Sequence, residues 1–134
     1  MKIIFECETF NSDKIFIQFP KNRYFPENGW HDFAVSIMTS WVDEIARCER
    51  KNQADFRLYF MECDCELLCS KSGDTVSIIA LECGKATEIL EYIDFSSFKS
   101  TVFKAAKRIL NEAAEKHVQN DGLEALRAAL SDKK

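Results

Sequence analysis

The sequence predicts an α+β domain: a mainly antiparallel sheet of about six strands, with two long helices and a short C-terminal helix packed against it. Three observations carry this. Residues 56–83 read as three consecutive strands, FRLYFMEC, CELLCSK and TVSIIALEC, joined by tight turns. Residues 31–51 and 97–119 instead repeat their apolar positions at helical spacing. No proline- or glycine-rich linker divides residues 1–134, so the whole chain is expected to fold as a single α+β unit.

Residues 2–8 alternate Ile3, Phe5 and Cys7 with Lys2, Ile4, Glu6 and Glu8, the period of two that a half-buried strand requires. A turn signal at Asn11-Ser12-Asp13 and a second apolar run over residues 14–19 make residues 2–19 a hairpin. Pro20, Pro26 and Gly29 then stop regular structure. Tyr24, Phe25 and Trp30 make this segment either a cover for one end of the core or an exposed recognition loop. From His31 to about Lys51, the side chains of Ala34, Ile37, Met38, Trp41, Ile45 and Cys48 fall on one helical face, which should lie across the sheet.

In the first strand of the meander, Phe56, Leu58 and Phe60 alternate with Arg57 and Tyr59. Lys71-Ser72-Gly73-Asp74 supplies one hairpin turn and Gly84-Lys85 another. Residues 87–95 are read as a strand, with Ser96 as the N-cap of the second long helix. Over residues 97–119 an apolar face of Phe98, Val102, Ala105, Ala106, Ile109, Leu110 and Ala113 is set among good helix formers. Gly122 is placed to cap that helix, residues 123–130 form a short final helix, and residues 131–134 are expected to fray.

With 134 residues, 46% hydrophobic and 30% charged, and with eleven Phe, the composition is that of a globular chain with an aromatic-rich core. The net charge of -4 is unevenly spread: residues 1–98 carry -7 and residues 99–134 carry +3. A bulk acidic field argues against nucleic acid or an anionic membrane as the main partner. The apolar run at Ile3-Ile4-Phe5 stops at Glu6, short of the roughly seven residues a secretory signal needs, and nothing approaches a span of about 18. A cytoplasmic location is therefore expected, where the six cysteines stay reduced.

No set of residues points to catalysis. Cys63, Cys65 and Cys69 share strand parity, but there is no Cys-x-x-Cys knuckle, and their spacing fits no zinc module, so they are read as core thiols and no metal or cofactor is expected. His31 and His117 have no nucleophile placed beside them by the sequence, and the four glycines are isolated from one another. What remains is acid. Between Asp55 and Asp94 nine Asp and Glu face three Lys and Arg. That excess is either solvated sheet and turn residues or a surface that meets a basic protein. On the second reading the partner-binding candidates are Glu6, Glu8, Tyr59, Glu62, Asp64, Glu66, Glu82 and Glu88.

The order of landmarks adds a resemblance. An N-terminal strand pair precedes Trp30, and Asp32-Phe33 opens a helix carrying Trp41. Phe60-Met61-Glu62 stands before Glu66-Leu67, and Ile93-Asp94-Phe95 with Phe98 leads into an Ala-rich helix. This arrangement resembles small immunity proteins of polymorphic toxin and contact-dependent growth inhibition systems. The resemblance implies a cytosolic protein, without enzymatic activity, that binds one cognate toxin domain, often a nuclease, and blocks its active site or substrate path. It assigns no contact residue. A competing class is the small acidic secretion chaperone, an α+β dimer holding an extended client segment in an apolar groove; such chaperones usually begin with a helix, and this chain is expected to begin with strands. A small enzyme would instead show a concave pocket holding a perturbed acid or thiol.

Overall fold

The computed structural model describes residues 1–131; of residues 131–134, expected to fray, Ser131 is the last residue of the final helix and 132–134 lie outside the described residues. Among the described residues the order is β1 (Lys2–Glu6), β2 (Asp13–Phe19), β3 (Arg23–Phe25), β4 (His31–Asp32), α1 (Ala34–Cys48), β5 (Gln53–Tyr59), β6 (Cys65–Ser72), β7 (Thr75–Glu82), β8 (Lys85–Asp94), α2 (Phe95–Glu115) and α3 (Asp121–Ser131). The class is α+β, but the strands form two four-stranded antiparallel sheets and not one sheet of about six. The difference comes from β3 and β4, three and two residues long, which are too short to leave an alternating pattern. Both pair with β2, which turns the N-terminal hairpin into a sheet of its own.

In the first sheet β1 runs along β2 from Lys2 opposite Gln18 to Glu6 opposite Lys14. The second sheet contains the expected three-stranded meander and extends it by β8, in the order β5-β6-β7-β8; β5 covers Gln53–Tyr59, so residues 60–63, expected to continue it, lie outside the strand. Its inner rows, Phe56–Cys69–Ile78 and Leu58–Leu67–Ala80, are buried. The β7–β8 turn is Cys83-Gly84, one residue earlier than expected, with both residues at positive φ (52° and 76°) as a tight two-residue hairpin demands.

Helix α1 joins the two sheets. Trp41 is fully buried, donates its indole N–H to the Tyr59 carbonyl at 3.0 Å, and meets Phe60 edge-on at 5.4 Å. Phe60 in turn meets Phe25 of β3 edge-on at 5.9 Å. Phe25 is buried, and Tyr24 packs on Phe16, so these aromatic residues cover the core and do not form a recognition loop. Helix α1 starts at Ala34, later than expected, because His31 and Asp32 are committed to pairing with β2.

At α2 the N-cap is Asp94, whose carboxylate accepts from the Ser97 amide at 3.2 Å; Ser96, the expected cap, donates its hydroxyl to the same carboxylate. The helix ends at Glu115, with His117 at φ 58° making the break. Asn120 then accepts from the Leu123 amide at 2.8 Å, and Gly122, expected as a cap, lies in the first turn of α3.

Two buried carboxylates hold the connections. Asp32 has no exposed surface. Its Oδ1 accepts from the Phe33 amide at 2.7 Å, and its Oδ2 accepts from the Trp30 indole and from the amides of Met61 and Glu62, each at 3.0 Å. A buried carboxylate is tolerable only with such donors around it. Asp13 accepts from the amides of Glu8, Thr9 and Asn11 at 2.8, 2.9 and 3.1 Å. Burial alone would raise its pKa, but these amides outweigh burial and hold it below the ordinary 3.8.

Asp32→Ala would strand four donors, so urea denaturation is expected to show a loss of about 3 kcal/mol or more; a loss under about 1 kcal/mol would contradict the bridging role. For Asp13, a folded pKa below the unfolded one gives stability that is present above the unfolded value and lost as pH falls through the folded value. The stability gap between wild type and Asp13→Asn is therefore expected at about 1–2 kcal/mol near pH 7 and should close in acid. A gap that widened on acidification would contradict it.

Candidate functional site

The two faces of the second sheet have different fates. Helices α1 and α2 pack on the face carrying Phe56, Leu67 and Ile78, where Phe56 meets Phe98 at 6.1 Å. Among the described residues no helix packs across the opposite face, although Ser40 and Glu44 of α1 border it beside Arg57, Tyr59 and Leu68. Register sets that face out in rows. Arg57, Leu68, Ile79 and Leu90 stand side by side across all four strands; Tyr59, Glu66, Leu81 and Ala86 form the next row, and Asp55, Ser70, Ser77 and Tyr92 the one on the other side. The centre is thus aliphatic, with Tyr59 (53% exposed) on one edge strand and Tyr92 (68% exposed) on the other. Leu90 is 46% exposed. Soluble proteins seldom leave such a patch without a use.

The eight residues expected to bind a partner do not form one acidic row. Tyr59 and Glu66 lie on the outer face, but Glu66 is buried and ion-paired with Arg57, which neutralises it locally. Glu62 and Asp64 are exposed in the β5–β6 connection, which is held in place from both sides. Asp32 accepts from the Glu62 amide, and the Asp64 carbonyl accepts from the Cys83 amide at 2.7 Å. Glu82 sits opposite buried Cys65, and so on the inner side at the sheet's end. Glu88 is exposed beside the register shift in the β7–β8 pairing. Glu6 ends β1 in the other sheet, opposite Lys14, and Glu8, expected on the same strand, lies in the β1–β2 connection. Strand parity does not survive a loop or a bulge, because each resets which side a residue faces.

The apolar centre escaped the sequence reading although a signal for it exists. Leu67-Leu68, Ile78-Ile79 and Ile89-Leu90 are apolar doublets, and a doublet in a strand puts one apolar side chain on each face. The register aligns Leu68, Ile79 and Leu90.

The thiols are mostly inert. Cys7, Cys48, Cys65 and Cys69 are buried, Cys63 is partly so, and Cys83 is exposed. Burial pushes the Cys7 thiol up to about 12, helped by the nearby carboxylates of Asp13 and Glu112. Burial likewise raises Cys48, Cys63, Cys65 and Cys69. Among the described residues no three His, Cys, Asp or Glu side chains are grouped to hold a metal ion. His31 and His117 are both exposed and lie on separate elements. No helix among the described residues is long and apolar enough to cross a membrane.

Comparison with known protein families, with curated proteins and with solved structures gave no match. Function has to be read from the chain's own geometry. For the thiols, a disulfide-exchange reagent at pH 7.5 is expected to titrate one fast group, lost in Cys83→Ser; two or more fast thiols in the folded protein would contradict the burial assigned to the others.

Proposed function

We propose that this protein is a cytosolic immunity protein, a stoichiometric inhibitor that covers a cognate toxin domain and performs no chemistry itself. The observation that supports this best is the uncovered outer face of the second sheet. Its aliphatic centre, with Tyr59 and Tyr92 on the two edge strands, provides the desolvated anchors that tight binding needs. Exposed Asp55, Glu62, Asp64 and Glu88 provide negative charge on the same sheet and its connections. That division suits a basic partner: the charges speed encounter, and the apolar centre slows release. A nuclease toxin has to carry a cationic cleft for phosphates, so it is the toxin class this charge fits. Glu6, on the first sheet, and Glu8, in the β1–β2 connection, belong to this surface only if the partner reaches past the β5–β6 connection.

The test pairs the protein with the proposed toxin partner, sought among the products of neighbouring genes. A one-to-one complex that abolishes its activity is expected. Leu90→Asp should weaken binding by about 2 kcal/mol or more through faster dissociation. Reversing Glu62, Asp64 and Glu88 to Lys should instead slow association about tenfold or more at low salt and flatten its salt dependence. If both variants bind as wild type, this face is not the interface.

A further inference from the structure

The first sheet ends in an open edge. Strand β1 pairs with β2 on one side, and no described strand pairs with it on the other. Every second residue of β1 therefore points its amide and carbonyl away from the sheet. A groove of about 480 Å³ lies there, lined by residues 1–5 on one side and by Thr101, Lys104, Ala105 and Arg108 of α2 on the other. A groove on one face of a strand touches alternate residues. Contact with five residues in succession means that this one follows the edge itself.

The groove's charge is opposite to that of most of the chain. Lys2, Lys104 and Arg108 border it, and none is ion-paired to a described residue. The Arg108 guanidinium rests 4.8 Å over the Phe5 ring, which holds it at the rim.

We infer that this groove takes an extended, acidic segment of a protein partner, added as a strand to β1 with carboxylates at alternate positions meeting Lys104 and Arg108. The spacings agree. Residues four apart on a helix are about 6 Å apart along its axis, and alternate residues of a strand are about 6.7 Å apart. A second copy of this chain is a poorer occupant. Antiparallel pairing of two β1 strands sets Lys2 against Glu6, but it also brings Lys104 and Arg108 of both copies together across the edge. Nucleic acid phosphates could meet the cations, yet they cannot satisfy the alternating amides and carbonyls. The surface lies on a different sheet from the proposed toxin-binding face, so it stands or falls separately.

The probe is a short fluorescein-labelled peptide alternating valine and glutamate, titrated into the full chain by anisotropy, with backbone amides followed by NMR. Submillimolar binding is expected, with shifts confined to β1 and the facing turns of α2. A lysine-for-glutamate peptide, or one methylated at alternate backbone amides, should bind at least about tenfold more weakly. Lys104→Glu with Arg108→Glu should weaken the acidic peptide by about tenfold, the two exposed charges being replaced without touching the core. No binding, equal binding of either control peptide, or β1 shifts that grow with protein concentration alone would overturn the inference. The control peptides are tested on the wild-type chain, so the result does not depend on the variant's stability.

Discussion

One buried carboxylate makes the rest of the architecture possible. Asp32 is the last residue of β4, and its two oxygens take the first amide of the α1 approach, the Trp30 indole and two amides from the connection between β5 and β6. A carboxylate removed from water costs several kcal/mol unless its lone pairs are filled, and here they are filled from two segments, residues 30–33 and residues 61–62. Neither of those segments can move without stranding it. The first sheet, the long helix and the meander are thereby registered to one another at one point. The same contact fixes the backbone that carries Glu62 and lies next to Asp64, so two of the exposed acids sit on rigid ground.

With that registration set, the second sheet divides its labour by parity. The rows through Phe56, Leu58, Leu67 and Ile78 meet the helices and supply the core. The row through Leu68, Ile79 and Leu90 lies on the other face, half-buried at Leu68 and Ile79 and exposed at Leu90. Covering its remaining surface would be favourable by roughly 25 cal/mol for each Å² buried. An apolar row left partly in water in a chain with an otherwise complete core is the physical reason to read it as a surface for another protein. Charge is divided as well: the acids gather on the meander and its connections, and the cations on α2 beside the open edge of β1. Two surfaces of opposite character can engage one partner at two places.

What the sequence made legible came from local period. The meander, the N-terminal hairpin, both long helices and the strand read over residues 87–95, observed as Lys85–Asp94, were each readable because each repeats its pattern over five residues or more. The two extra strands were not readable, since β3 and β4 are too short to show a period, and neither was the division into two sheets, which rests on no strand of β1–β4 pairing with one of β5–β8. Caps were displaced by one to a few residues, as when Asp94 took the role expected of Ser96, because several polar residues compete for one amide. The site suffered most. The local excess of acid put Glu62, Asp64 and Glu66 among the candidates together, whereas Glu62 and Asp64 lie in the β5–β6 connection and Glu66 is paired with Arg57 within the sheet. Tyr59 was correctly read as outward, since it lies within an unbroken strand.

The central claim is that the outer face of the second sheet is where this protein meets its partner. Methyl and aromatic NMR of the protein, free and bound to the toxin domain proposed as its partner, tests it most directly, because Leu68, Ile79, Leu90, Tyr59 and Tyr92 can each be followed alone. The account predicts that these five signals shift together on binding while the buried Leu67 and Ile78, one residue away in sequence, change least. Unchanged outer-face signals in a formed complex, with perturbations elsewhere on the molecule, would contradict it.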